Sequence, residues 1–221
     1  MMNNIDGVIF DMDGVLTDTI DFHYQTWQRL ADDLEIPFDR EANEALRGLS
    51  RRDSLLHILG DRVLPEPQIE ALLEQKNHYF LEFVQTMTPD HLLPGVLELL
   101  HDLRSHGIKM AIASASRNVQ IVTEQLEITD LIDAITNVYS VPNPKPAPDV
   151  FLYAAQQLDR SPQQCLVVED AESGVKAGLA AGMWVLGLGP VDRVGAAHVV
   201  LPDLRGTSWL ELLDLFQKTW G

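Results

Sequence analysis

Two aspartates one residue apart, in Asp11-Met12-Asp13-Gly14, follow the apolar run Val8-Ile9-Phe10. In extended chain, residues two apart point the same way, so both carboxylates address one spot. Gly14 then lets the backbone turn sharply. Three further polar groups follow apolar runs of the same kind: Ser114-Ala115-Ser116, Lys145, and Glu169-Asp170. Carboxylates gathered closely repel one another and partly neutralise unless a cation joins them. All-oxygen donors suit a hard cation, and a phosphate substrate favours Mg²⁺. The chemistry such a set performs is phosphoryl transfer. Asp11 can attack as a covalent nucleophile, and Asp13 can carry a proton to or from the substrate oxygen. Lys145 and the Ser114 hydroxyl can hold the transferring phosphoryl oxygens, and a divalent cation can screen attack by one anion on another.

Each group has a plainer reading. An Asp-x-Asp is commonly a solvated turn, Ser114 and Ser116 could be routine helix caps, Lys145 an exposed loop lysine, and Asp170 a cap for the next helix. The elements around them favour a shared role. Short β-rich runs at Ile5 to Phe10, Ile108 to Ala113, Ala134 to Val138, Cys165 to Val168 and Trp184 to Leu188, with a weaker one at His198 to Leu201, read as strands. Helical patterns lie between them: Val96, Leu99, Leu100 and Leu103 mark one stripe, and others run from about Asn118 to Leu126, Asp149 to Leu158 and Ala171 to Ala181. This alternation predicts an α/β fold with a mostly parallel sheet and helices on both faces. In such a sheet the polar groups fall at one end of their strands. Ser114-Ala115-Ser116 would stand directly before a helix, whose free N–H groups suit an anion.

A βαβ crossover needs only about 30 residues, yet the second strand begins near Ile108. The excess, about Asp18 to Pro89, is helical, with Ile20, Tyr24, Trp27 and Leu34 on one face and Leu55, Leu56 and Leu59 on another. The expected organisation is therefore an α/β core of residues 1–17 and 90–221 and an inserted helical cap of residues 18–89. The cap would stand over the carboxyl end of the sheet as a lid. Within it, Lys76 is in phase with the apolar stripe Ile69, Leu72, Leu73, Phe80 and Phe83. It reads either as a snorkelling lysine or as a charge aimed into a cleft. Ser50-x-x-Asp53 looks like a capping box, and a helix start bearing Arg51 also suits a second phosphate.

The chain has 221 residues, 46% apolar, with a formal net charge of -17. Such a surface argues against nucleic acid or an anionic membrane as partner. One cysteine, Cys165, excludes an internal disulfide and fits a reducing, cytoplasmic setting. The first residues lack the pattern of a signal peptide, and the run Leu179 to Val191 is too short and too broken for a membrane helix. A monomer acting on a small molecule is the expectation.

Asp11-Met12-Asp13-Gly14-Val15-Leu16-Thr17-Asp18-Thr19, Ser114-Ala115-Ser116, Lys145-Pro146 and Glu169-Asp170 resemble the four motifs of the haloacid dehalogenase (HAD-like) superfamily of phosphotransferases. The resemblance spans nearly the whole chain and implies a Rossmann-like core with an α-helical cap. Within the superfamily, the likeness is to its sugar-phosphate mutase branch, the β-phosphoglucomutases. It rests on Thr19, His23 and Trp27, on Gly48-Leu49-Ser50-Arg51, on Asp53-Ser54, on Lys76-Asn77, and on Ser114-Ala115-Ser116-Arg117-Asn118. The resemblance implies Asp11 as nucleophile and metal ligand, and Asp13 as general acid and base with its backbone carbonyl on the metal. Glu169 and Asp170 would complete a Mg²⁺ site. The substrate implied is a sugar phosphate, held by Thr19, His23, Trp27, Gly48, Leu49, Ser50, Arg51, Ser54, Lys76, Ser114, Ala115, Ser116, Arg117, Asn118 and Lys145. The implied reaction interconverts β-glucose 1-phosphate and glucose 6-phosphate through the 1,6-bisphosphate. A sugar-phosphate phosphatase of the same superfamily shares the acid pair and stays open. A phospho-acceptor signalling module would need neither the insert nor a second phosphate site. Two features depart from the familiar pattern: Arg117 stands where a lysine also occurs, and Lys145 is flanked by Pro144 and Pro146.

Overall fold

The computed structural model describes residues 5–46 and 50–220. The chain divides into two compact units, Met1–Asp18 with Thr88–Gly221, and Thr19–Met87.

The first strand, β1 (Gly7–Phe10), is buried along its whole length. The second unit follows it in the chain with helices α1 (Ile20–Asp33), α2 (Arg40–Glu44), α3 (Arg51–Leu59) and α4 (Glu66–Val84). Helical spacing places Trp27, Leu30 and Ala31 on one stripe of α1, and these join Leu55, Ile58, Leu59, Ile69 and Leu73 in a single apolar cluster. Phe22 of α1 stacks on Phe83 of α4, with ring centres 5.6 Å apart.

The chain returns through α5 (Val96–Ser105) to β2 (Lys109–Ser114), α6 (Val119–Gln125), β3 (Ala134–Asn137), α7 (Asp149–Gln157) and β4 (Cys165–Glu169). It ends with α8 (Glu172–Ala180), β5 (Trp184–Leu188), α9 (Val191–Val194), β6 (Val199–Leu201) and α10 (Trp209–Trp220). The six strands lie in the order β3-β2-β1-β4-β5-β6, and every neighbouring pair is parallel. Central strands buried on both faces need continuous apolar runs rather than alternation, which Gly-Val-Ile-Phe and Cys-Leu-Val-Val supply. Ile9, Ala111, Val167 and Val185 pack on Phe151, Ala154 and Val175 of α7 and α8. Phe216 of α10 meets Trp184 edge-on at 5.8 Å.

Several sequence expectations change. The first strand begins at Gly7 rather than Ile5, which is buried but outside the ladder. The third ends at Asn137, whose side chain accepts the Tyr139 N–H and turns the chain into a 3₁₀ turn. The C-terminal helix α10 was not among the predicted helices. Among the described residues no helix is long and apolar enough to cross a membrane.

Candidate active site

The strand order decides which polar groups meet. Since β2, β1 and β4 are adjacent and neighbouring strands lie about 4.8 Å apart, their carboxyl ends set Ser114, Asp11 and Glu169 side by side. The Asp11 N–H donates to Val168 O at 2.9 Å, which extends the β1–β4 ladder and fixes the backbone of Asp11. Lys145 reaches the same point from the loop after β3, beside a cis Lys145–Pro146 peptide.

Lys145 Nζ donates to Asp11 Oδ1 at 2.5 Å, to Glu169 Oε1 at 2.8 Å and to Ala113 O at 3.1 Å. An ammonium has three N–H donors, so all are engaged. The Phe151 ring lies 4.7 Å below the nitrogen. Burial disfavours charge on Lys145, but Asp11 and Glu169 outweigh it and hold the ammonium above its ordinary range. Burial pushes the Asp11 carboxyl up to about 8; Lys145 opposes this, while Glu169 and Asp13 add to it.

Both oxygens of Glu169 are engaged as well. Its second oxygen accepts the Ala171 N–H at 2.7 Å. Asp170 does not take its expected capping role, since α8 has Ala171 at its N-cap and no side-chain cap. Gly174, one turn into α8, makes the space: a Cβ there would fall 1.6 Å from Glu169 Oε1. Asp170 lies beside Gly14, whose φ of +83° is left-handed and whose added Cβ would fall 2.4 Å from Asp170 Oδ2. The Asp11–Asp13 turn thus closes directly on the Glu169-Asp170 pair. Asp13 pairs with Thr17 in an isolated bridge, and the Gly14 N–H donates to Thr17 O at 2.7 Å. Burial and then the charge of Glu169 push Asp170 up to about 6, while Arg193, 3.6 Å away, counters them.

Four carboxylates (Asp11, Asp13, Glu169 and Asp170) therefore share one field with two cations, Lys145 and Arg193. With all four ionised the deficit equals the charge of a divalent cation, and oxygen donors are the type that Mg²⁺ takes. Among the described residues no three acids already stand in the arrangement of a metal cage.

The Ser114 region differs from expectation. No helix starts directly after Ser114-Ala115-Ser116, because α6 begins at Val119 with Asn118 at its N-cap. The link is a turn in which Ser114 Oγ accepts the Ser116 N–H and Ser116 Oγ accepts the Asn118 N–H. Ser114 and Asn118 are buried, while Ala115 is exposed and Ser116 and Arg117 are half-buried.

In the second unit, Lys76 is 2% exposed and does not snorkel. Its Nζ lies 2.8 Å from His23 Nδ1 and 5.0 Å from the ring centres of both Trp27 and Phe80. His23 stacks on Phe80 at 4.5 Å. An ammonium only donates, so Nδ1 is the acceptor and the neutral ring carries its hydrogen on Nε2. Burial, then the charges of Lys76 and Arg51, hold the His23 pKa well below its ordinary 6.5. Thr19 is buried ahead of α1, and its carbonyl accepts the His23 N–H. Ser50 caps α3 by accepting the Asp53 N–H at 3.1 Å, and its hydroxyl donates to Asp53 Oδ2 at 2.6 Å. Arg51 opens that helix and Ser54 is buried in it. Gly48 and Leu49 lie outside the described residues.

Three contributors escaped the sequence reading: Phe151 beneath Lys145, Gly174 behind Glu169 and Arg193 beside Asp170. Only Gly174 left a signal, as a glycine inside a helical pattern, which usually marks close packing.

Comparison with known proteins agrees with this geometry. The sequence model of the haloacid dehalogenase-like hydrolases matches residues 5–182. The chain is 39% identical to the β-phosphoglucomutase of Bacillus subtilis over 96% of its own length and 94% of that protein. It is 33% identical to a fructose-1-phosphate phosphatase of Escherichia coli over 80% of its own length and 93% of that protein. The crystal structure of a β-phosphoglucomutase from Clostridium difficile superposes with a TM-score of 0.89 at 34% identity, covering 97% of this chain and 98% of that one. With the acid pair, the lysine and the Glu-Asp pair assembled at adjacent strand ends, the chain belongs to the haloacid dehalogenase-like hydrolase family.

Proposed function

We propose that the protein is a phosphosugar mutase that interconverts β-D-glucose 1-phosphate and glucose 6-phosphate through β-glucose 1,6-bisphosphate and a phosphorylated Asp11. The observation that carries phosphoryl transfer is the Lys145 ammonium shared between Asp11 and Glu169. Similarity to β-phosphoglucomutases over nearly the whole chain supports the mutase over other members of the family.

In the proposed cycle, phospho-Asp11 gives its phosphoryl group to the 6-hydroxyl of β-glucose 1-phosphate. Asp13 takes the hydroxyl proton as the new O–P bond forms and the Asp11 O–P bond breaks. The bisphosphate then presents its C1 phosphate. An Asp11 oxygen attacks that phosphorus, the C1 oxygen leaves with the bonding pair, and Asp13 returns the proton to it. Glucose 6-phosphate is released and Asp11 is again phosphorylated. Lys145 orients the Asp11 carboxylate and offsets charge on the transferring group, exchanging one of its three present acceptors for a phosphoryl oxygen. Ser114 stands beside it to donate to the same group. Arg51 is assigned to the phosphate that does not react, with Ser116, Arg117 and Asn118 as further polar contacts.

Mg²⁺ fits the charge deficit and donor type of the acid cluster. Asp11, Asp170, the Asp13 carbonyl and Glu169 would hold it, and it would supply charge neutralisation on the phosphoryl oxygens. The substrate class is a small sugar phosphate, and the place of action is the cytoplasm.

Phosphorus NMR of β-glucose 1-phosphate with Mg²⁺ and a trace of the bisphosphate tests the reading. Glucose 6-phosphate should accumulate while inorganic phosphate stays minor. Free phosphate without glucose 6-phosphate would establish the alternative, a sugar-phosphate phosphatase, which the similarity to the fructose-1-phosphate enzyme keeps as the second reading.

A further inference from the structure

Asp170 faces a cation that the proposed chemistry does not use. The Arg193 guanidinium approaches Asp170 Oδ2 at 3.6 Å from α9. The backbone is shaped to permit this. Gly189, at the end of β5, has φ +111°, and a Cβ there would fall 2.6 Å from Arg193 Nη2. Gly14 supplies the matching space on the Asp170 side. Two glycines with left-handed φ thus flank one ion pair. The pair is too long for a hydrogen bond, and Arg193 Nε is buried with no hydrogen-bond partner. Arg193 therefore acts on Asp170 through charge rather than through a hydrogen bond.

We infer that Arg193 is a placeholder cation: it neutralises Asp170 while the divalent ion is absent and competes with that ion for the acid cluster, so it sets how tightly Mg²⁺ binds. This rests on the assignment of Asp170 to the Mg²⁺ site. Arg193 is proposed as a positioning residue, acting through Asp170.

The test is Mg²⁺ binding by calorimetry, together with melting temperature in EDTA and in Mg²⁺, on the full-length protein. Arg193→Gln should bind Mg²⁺ about two- to fivefold more tightly than wild type, as expected for loss of one partly exposed charge. It should also melt lower than wild type in EDTA and show a larger Mg²⁺-induced rise. Arg193→Met, which keeps the packing of the stem, carries the same expectation, and Arg193→Lys should return the affinity toward wild type. Unchanged or weaker Mg²⁺ binding in both neutral variants, with a normal response in wild type, overturns the placeholder alone. If wild type and Asp170→Asn bind Mg²⁺ equally, or neither binds it, the metal assignment falls and the role of Arg193 with it.

Discussion

Lys145 Nζ lies 2.5 Å from Asp11 Oδ1, although 134 residues separate the two in sequence. Three strand ends make that meeting: β1 carries Asp11, β2 supplies the Ala113 carbonyl that also takes Lys145, and β4 carries Glu169. An ammonium in this position balances two buried acids and points one of them.

Lys145→Met should therefore affect both stability and rate. Removing one partner of a buried ion pair leaves the other uncompensated, at a cost of about 3–5 kcal/mol. The loss of a charge aimed at the transferring group should lower kcat about 10²–10³-fold. Asp11→Asn should abolish turnover altogether and prevent phosphorylation of the protein. Denaturant melts and initial rates on the two variants decide this, and residual turnover in Asp11→Asn would refute covalent catalysis through that side chain.

Gly174→Ala tests whether Glu169 must keep its present rotamer. The new methyl would overlap Glu169 Oε1, so the carboxylate must leave either Lys145 or the Ala171 N–H. Overpacking of this kind costs about 1–3 kcal/mol, and kcat should fall with it. Stability close to wild type together with full activity would mean that Glu169 moves freely and that its bridge to Lys145 is dispensable.

The core and its catalytic end were legible because both arise from local pattern. Continuous apolar runs ending in Asp11, Ser114 and Glu169 mark buried parallel strands, and a parallel sheet puts those ends along one edge; that they stand side by side follows from the strand order, which local pattern does not carry. The contacts that tune the cluster were not legible. Arg193 meets Asp170 only through the β4–β5 pairing and the conformation of Gly189, and neither is encoded near Asp170 in the chain. Lys76 shows the same limit. Its phase on α4 placed it on the apolar face, but the cage of His23, Trp27 and Phe80 depends on α1 packing against α4. The capping role expected for Asp170 is not filled, because the strand runs on to Glu169 and α8 starts one residue later, with Ala171 at its N-cap.

His23 should give the second unit a pH-dependent stability. Burial and the nearby charges of Lys76 and Arg51 keep the folded-state pKa below 6.5, whereas the unfolded chain takes up the proton near 6.5. Below 6.5 the unfolded state therefore binds more protons, so stability falls as pH drops through that window. The slope is at most about 1.4 kcal/mol per pH unit for one proton. Above 6.5 this group adds no slope. Denaturant unfolding of wild type and His23→Gln at pH 5.5 and 7.5 isolates the effect, and the variant should lose less stability on acidification. Identical losses would show that His23 is protonated in the folded protein and that the Lys76 contact is not built on a neutral ring.

Arg51, proposed as the second phosphate holder, should separate the mutase from simple dephosphorylation. It stands at the start of α3 behind the Ser50 cap, and its charge is felt at His23. A bisphosphate intermediate needs one group for the reacting phosphate and another for its partner, whereas acetyl phosphate has only one phosphate to hold. Loss of a charge-assisted contact costs about 1.5–3 kcal/mol, so Arg51→Ala should lower mutase flux roughly 10- to 100-fold and leave slow hydrolysis of acetyl phosphate nearly intact. Parallel assays of both reactions on one preparation make the comparison internal. Equal loss of the two activities would remove Arg51 from the role of second phosphate holder, because a residue needed only for the bisphosphate has no means of slowing a reaction that lacks one.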